Sequence, residues 1–177
     1  MTKAGSWVYM YSMEKVAVVV ASTGKNLELA QEIAKQASER GFQAKVYDVV
    51  AMKLPLYTSG ADKTDGIPQP ILDILVELQA TKKFFFLAPE YNGGLPPTFT
   101  NFFAWASVAT KDWRETFNEK TAVIGTHSGG GGLHALMAMR IQLAYVGMNV
   151  LGRQIHTHFQ KPLNQEALDM VFEELKR

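Results

Sequence analysis

Short unbroken apolar runs alternate along this chain with longer stretches in which apolar residues recur every three or four positions. Lys15 to Ala21 is dense in valine without alternation, which predicts a central parallel strand. Leu29, Ile33 and Ala37 then recur at helical spacing, with Glu28 and Glu32 early, Arg40 late and Gly41 as the stop. Ala44 to Val49, of mixed polarity, reads as a strand nearer a sheet edge. Residues 51–69 hold no period and contain Pro55, Gly60, Gly66 and Pro68, so they read as a long surface loop. Pro70 to Ala80 predicts a helix on Ile71, Leu72, Leu75 and Leu78, and Lys83 to Ala88 a strand buried on both faces. Pro96 and Pro97 open a helix that turns Phe99, Phe102, Phe103 and Ala106 inward and fades near Thr110. Trp113, Arg114 and Phe117 fall in a short connecting turn. Thr121 to Gly125 is the next strand, and Leu133 to Val146 a helix apolar around so much of its circumference that it wants cover on more than one side. Asn149 to Gly152 is a fifth strand, Ile155 to Phe159 an edge-like segment after it, and Asn164 the cap of a last helix, Gln165 to Leu175. The alternation predicts a doubly wound parallel α/β sheet with helices on both faces.

In such sheets ligands bind where the carboxyl ends of the strands break into loops. Three loops qualify. Ser22-Thr23-Gly24-Lys25-Asn26 offers hydroxyls, an ammonium and backbone N–H groups before a helix, a donor set for an anion; an ordinary helix cap with a solvated lysine is the other reading. It is neither a Walker sequence nor a GxGxxG fingerprint. Pro89-Glu90-Tyr91-Asn92-Gly93-Gly94 puts an aromatic ring and amides beside a tight turn, suited to a flat heterocycle, or, for Tyr91, to a subunit contact. Glu90 is a surface carboxylate or an acceptor near the pocket. Thr126-His127-Ser128-Gly129-Gly130-Gly131-Gly132 lets backbone approach a ligand with no Cβ in the way. No Ser-His-Asp set or nucleophile elbow stands out, and the histidines lack the partners of a metal site, so no metal is expected. A protein that positions a redox cofactor needs no side-chain nucleophile.

Composition narrows this further. At 177 residues the chain fits one domain, 15–177, behind an N-terminal extension, 1–14. Its 18 basic and 17 acidic residues nearly cancel and form no long basic run, which argues against nucleic acid or an anionic membrane as partner. There is no cysteine, so disulfides, thiolate catalysis and cysteine-ligated metals are excluded. Without a signal-like or spanning segment, cytoplasm is the expected location.

Pro89-Glu90-Tyr91-Asn92-Gly93-Gly94-Leu95-Pro96, followed by Thr100-Asn101-Phe102 and Trp105, resembles the P-x-Y-N and K-N-x-x-D-W segments of the NADPH-dependent FMN reductase family of flavodoxin-like proteins, which includes chromate, azo-dye and quinone reductases. The resemblance implies a five-stranded sheet of order 2-1-3-4-5 and FMN as cofactor, with NADPH or NADH as donor and a quinone, azo, flavin or similar small acceptor. It assigns FMN phosphate to Ser22, Thr23, Gly24, Lys25 and Asn26. Pro89, Glu90, Tyr91, Asn92 and Gly93 fall along the ring or ribityl chain, and His127, Ser128, Gly129 and Gly130 border the ring. It also implies a homodimer or homotetramer. The first loop is about three residues shorter than the family's and lacks its arginine, and Thr100 and Ala104 stand where Lys and Asp are usual. The rival readings are a flavodoxin-like electron carrier and a flavin-free regulatory protein on the same fold.

Overall fold

A computed structural model of the protein describes residues 13–176, so the expected N-terminal extension lies almost wholly outside the described residues. Five strands, β1 (Lys15–Val20), β2 (Gln43–Asp48), β3 (Lys83–Leu87), β4 (Thr121–His127) and β5 (Asn149–Thr157), form one sheet of order β2-β1-β3-β4-β5. Every neighbouring pair is parallel. The helices are α1 (Lys25–Glu39), α2 (Ala61–Thr64), α3 (Gln69–Gln79), α4 (Pro97–Ala109), α5 (Leu133–Tyr145) and α6 (Gln165–Leu175), with a 3-10 turn at Trp113–Thr116. This is the doubly wound parallel α/β sheet that the pattern of runs predicts, in the flavodoxin-like order that the resemblance implies.

Alternate residues of the strands feed two cores. Ala17, Val19, Phe84, Phe86, Ala122 and Ile124 pack under α3, α4 and α5. Val16, Val18, Val20, Phe85, Leu87, Val123 and Ile155 pack under α1 and α6. β3 is buried along its whole length, which is why its sequence is an unbroken apolar run. The second layer is closed by the ring of Phe172, stacked at 6.1 Å on Phe42 and tilted at 5.7 Å on Phe85, and by the Arg40–Asp169 ion pair between α1 and α6. Asn164 caps α6 as expected, accepting the Ala167 N–H at 2.9 Å.

Two expectations change. The segment 51–69 contains the short helix α2, and it is fastened rather than loose. Asn101 accepts from the Tyr57 N–H at 2.8 Å, while the Asn101 amide and the Trp105 indole both donate to the Pro55 carbonyl, at 2.9 and 2.7 Å. The asparagine and tryptophan of the α4 motif therefore hold the long loop to its helix. The two edge segments expected after Val146 are one strand, β5, whose register against β4 slips between Ala122 and Ile124. The slip absorbs Gly152 and its neighbours as a bulge, and Arg140 donates to the Val150 and Leu151 carbonyls there, at 3.3 and 2.8 Å.

At the opposite end of the sheet from these loops, Lys120 donates to the Leu78 and Gln79 carbonyls at 3.1 and 2.7 Å and closes α3. Burial pushes its ammonium from the ordinary 10.5 down to about 8. Between those values the unfolded chain holds the proton and the folded one sheds it, so this residue makes stability rise with pH across that window. Urea denaturation at pH 7.5 and pH 10 checks this: the change in stability between the two is expected to be more positive for the wild type than for Lys120→Met.

Candidate functional site

Because all five strands are parallel, β1, β3 and β4 end on the same side of the sheet, and the three glycine-containing loops meet there. Their positions are set by cross-strand ties. The Ala21 N–H donates to the Leu87 carbonyl at 2.9 Å, and the Thr98 hydroxyl of α4 donates to the Ala21 carbonyl at 2.7 Å. Ala88 N–H reaches the Gly125 carbonyl at 3.2 Å. Pro89 is buried and cannot donate, which ends the β3 ladder there.

Asn26 is buried in the first turn of α1 and uses its side chain as a peptide group would. Its amide donates to the His127 carbonyl at 2.9 Å and its oxygen accepts the His127 N–H at 2.8 Å. The side chain is thus occupied by the end of β4, and what Asn26 offers outward is its backbone. Lys25 pairs with Glu28 at 2.7 Å on the surface, and the Ser22 hydroxyl turns onto the Thr23 carbonyl at 3.0 Å. Gly24 sits at φ 64, ψ −134, a conformation that a side chain strongly disfavours, and no side chain caps the helix that follows. Among the described residues, the first N–H groups of α1 therefore have neither an intrahelical acceptor nor a side-chain cap.

The Tyr91–Gly94 turn closes on itself through two backbone hydrogen bonds, 2.9 and 3.0 Å. Asn92 and Gly93 both have positive φ, 51 and 77, the type I′ geometry that an Asn-Gly pair favours. This presents Tyr91 with its ring 53% exposed. Glu90 faces the other way. Its carboxylate accepts the N–H groups of His134 and Ala135, at 3.0 and 3.4 Å, and so caps α5, while its own N–H donates to the Ser128 hydroxyl at 2.7 Å. Ser128, buried, also shares a 2.9 Å hydrogen bond with Thr126. Glu90 and Ser128 are therefore braces between the second and third loops.

In the third loop Gly131 and Gly132 have positive φ, and a Cβ on Gly132 would meet Thr126 at 2.7 Å. Gly129 and Gly130 differ: neither has positive φ, and a Cβ on Gly130 would meet nothing within 4 Å. Beside them, His127 contacts the Thr157 hydroxyl through Nδ1 at 3.1 Å. That hydroxyl gives its one proton to the Thr126 carbonyl at 2.9 Å, so Nδ1 donates to it, and in the neutral ring Nε2 is the acceptor. Nε2 is buried and has no hydrogen-bond partner among the described residues. Phe159, almost fully exposed at the tip of the His158–Lys161 turn, stands edge-on to His127 at 5.6 Å and 3.6 Å from where a Gly129 Cβ would be. The sequence marks Phe159 only as the end of an edge-like segment, and nothing in its local pattern places it beside His127.

These features are those of a flavodoxin-like flavoprotein, and comparison with known proteins agrees. The chain belongs to the NADPH-dependent FMN reductase family, which residues 14–161 match. It is an oxidoreductase of that family, with FMN and a reduced nicotinamide as its cofactors. It is 26% identical over 139 residues to an NADPH azoreductase of Bacillus sp. (strain OY1-2), covering 78% of this chain and 74% of that protein. It is 26% identical over 108 residues to a probable NADPH:quinone oxidoreductase 2 of Oryza sativa subsp. japonica, covering 60% of this chain and 52% of that one. Among solved structures, FerB from Paracoccus denitrificans, a flavoenzyme NAD(P)H:(acceptor) oxidoreductase, superposes with a TM-score of 0.66 at 22% identity over 79% of this chain and 76% of its own. An archaeal flavodoxin gives 0.61 at 15% over 92% and 99%.

Replacing Asn26 with Ala would leave the N–H and carbonyl of His127 without partners at a partly buried position, at about 1–3 kcal/mol for each unsatisfied group. A loss of about 2–4 kcal/mol in urea denaturation is expected, against a change near zero for Lys25→Ala, whose ion pair is exposed.

Proposed function

We propose that this protein holds FMN across the ends of β1, β3 and β4 and uses it to pass hydride from NADPH or NADH to a small acceptor of quinone, azo or flavin type, working as a homo-oligomer in the cytoplasm. The observation that carries the reading is the uncapped N-terminus of α1 beside Gly24. Glu90 caps α5, Asn164 caps α6, and α3 and α4 have Pro at their starts, whereas at α1 the side chains of Ser22, Lys25 and Asn26 are turned elsewhere and Thr23 is exposed. A phosphate dianion suits the donors left over.

The residues fit the rest of the cofactor as well. The backbone N–H groups of Lys25, Asn26 and Leu27 and the exposed Thr23 hydroxyl are assigned to phosphate oxygens. Lys25 joins them once it exchanges Glu28, a surface pair worth little, for a doubly charged partner. Lysine is a point charge where the family's arginine is two-pronged, so this contact gives charge without fixing orientation. Tyr91 and Asn92 are assigned to the flat ring system. Gly129 and Gly130 are glycines that neither their own φ nor their neighbours require, and close approach of a ligand to the backbone accounts for them. His127 Nε2 is a buried acceptor in need of a donor, and FMN brings both a ring N–H and ribityl hydroxyls.

Bound FMN supplies the hydride chemistry, and the chain's own part is placement. Asn26, Glu90 and Ser128 hold the three loops in fixed relation, so the donors above are set before the ligand arrives and little ordering remains to be done on binding. The exposed Tyr91–Gly93 turn would leave nicotinamide and acceptor successive access to a flavin held by these loops.

The test is to load the purified protein with FMN, remove free ligand and record visible absorption before and after anaerobic NADPH. Flavin bands that bleach support the reading. Retained flavin that stays oxidised with either nicotinamide, yet is reduced by a partner reductase, makes the protein an electron carrier, and a chain that retains no flavin overturns the reading. Gly24→Val, which removes the backbone conformation at the helix start, is expected to weaken FMN binding at least about ten-fold by fluorescence titration while circular dichroism is unchanged.

A further inference from the structure

Beyond the three loops, the edge strand β5 carries a second group of polar side chains. A cavity of about 190 Å³ lies where the end of this strand meets the start of α6. Gln154, His156, Lys161 and Asn164 supply its polar wall, and none of its lining residues is acidic. The neighbouring concavity is the opposite, with Glu166, Asp169, Glu173 and Glu174 around Arg153.

The hydrogen bonds of the four wall residues all have one sense. Asn164 spends its amide oxygen on the Ala167 N–H at 2.9 Å, and Gln154 spends its own on the Arg140 guanidinium at 3.5 Å, so each is left with its NH2 group. The Lys161 ammonium lies 3.4 Å from the His156 Nδ1 rather than on a carboxylate. An ammonium can only donate, so Nδ1 accepts and the neutral ring carries its hydrogen on Nε2. That Nε2 is buried and has no hydrogen-bond partner among the described residues. His158, its ring centred 5.7 Å from that of His156, repeats the arrangement: its Nδ1 takes the Gln160 N–H at 3.3 Å, which leaves Nε2 to donate. Acceptors are thus used up inside the protein, and donors are left over around one positive charge.

We infer that this cavity is a second anion site, for a phosphomonoester dianion. Lys161 supplies the charge, and the Gln154 and Asn164 amides supply neutral donors beside it. A single water needs about 10–15 Å³ of such space, so the cavity has room for a phosphate and part of the group esterified to it. His156 links the cavity to the third loop, because its Nε2 is 3.9 Å from where a Gly131 Cβ would be. A phosphate held here is one imidazole ring away from the loop that borders the flavin in the proposed reading. A nicotinamide donor brings such a group in the 2′-phosphate that distinguishes NADPH from NADH, and free phosphate is the other source of the same chemistry. The choice of source rests on the flavin reading; the anion site does not.

The full chain, with and without FMN, is titrated with inorganic phosphate, with 2′-AMP and, as a phosphate-free control, with adenosine. Its four histidines give four imidazole Cε1–H resonances by NMR, and His156→Gln identifies the one that matters. Phosphate and 2′-AMP are expected to shift the His156 signal and adenosine to leave it in place. Lys161→Gln, at an exposed position, is expected to raise both dissociation constants at least about ten-fold with unchanged circular dichroism. Tighter binding of 2′-AMP than of phosphate assigns the site to the dinucleotide, and binding no tighter assigns it to free phosphate. A His156 signal that neither phosphate moves, one that adenosine moves equally, or a titration indifferent to Lys161→Gln overturns the inference. So does a shift confined to His127, which puts the anion at the α1 loop instead. The titration reads without flavin as well as with it, so a chain that retains no FMN leaves this result intact.

Discussion

Burial of β3 on both faces is the constraint from which the rest of the structure follows. A strand whose side chains all lack water must have sheet on both edges and helices above and below it, and parallel neighbours are what βαβ crossovers supply. Once β1, β3 and β4 run the same way, their carboxyl ends share one side of the molecule. The convergence of three loops from distant parts of the chain is therefore a product of core packing, and the site inherits its location from Phe84, Phe85, Phe86 and Leu87.

Convergence alone would leave the loops free to move against one another. The chain spends its most polar loop side chains preventing that. Asn26 reaches from the start of α1 to the end of β4 and pairs with both backbone groups of His127, Glu90 joins the β3 loop to α5, and Ser128 joins the glycine loop to the β3 loop. These three residues look like ligand contacts when the sequence is read alone. Their side chains are instead satisfied within the protein, which divides the work: side chains fix the loops, and backbone N–H groups, exposed Tyr91 and unencumbered Gly129 and Gly130 remain to meet a ligand.

The strands, the helix positions and the identity of the three loops were legible because burial imposes periodicity, and periodicity survives in one dimension; the strand order came from the family resemblance. The apolar runs at Val16–Val20 and Phe84–Leu87 and the Asn164 cap needed no tertiary information. The bulge in β5 was not legible, since a slip of register leaves the local pattern of Asn149–Thr157 as two short segments and only the partner strand joins them. Nor were the side-chain occupations of Asn26 and Glu90, because each partner lies far off in sequence. Asn101 and Trp105 could be recognised as a motif, but their purpose, holding Pro55 and Tyr57, appears only when the long loop is seen lying along α4.

The ties around the first loop fall on its two ends and leave its middle alone. Ala21 is fixed through both backbone groups and Asn26 through its side chain, while the hydrogen bonds of the residues between them stay within the segment or reach only Glu28 of the following helix turn. Ser22 to Lys25 thus behaves as a cassette between fixed posts, whose length and composition can change without disturbing strand or helix. That explains how this chain tolerates a segment about three residues shorter than its family's. On the proposed reading of this loop, it also marks the place where a different anion-binding sequence could be spliced in to alter which nucleotide the scaffold accepts.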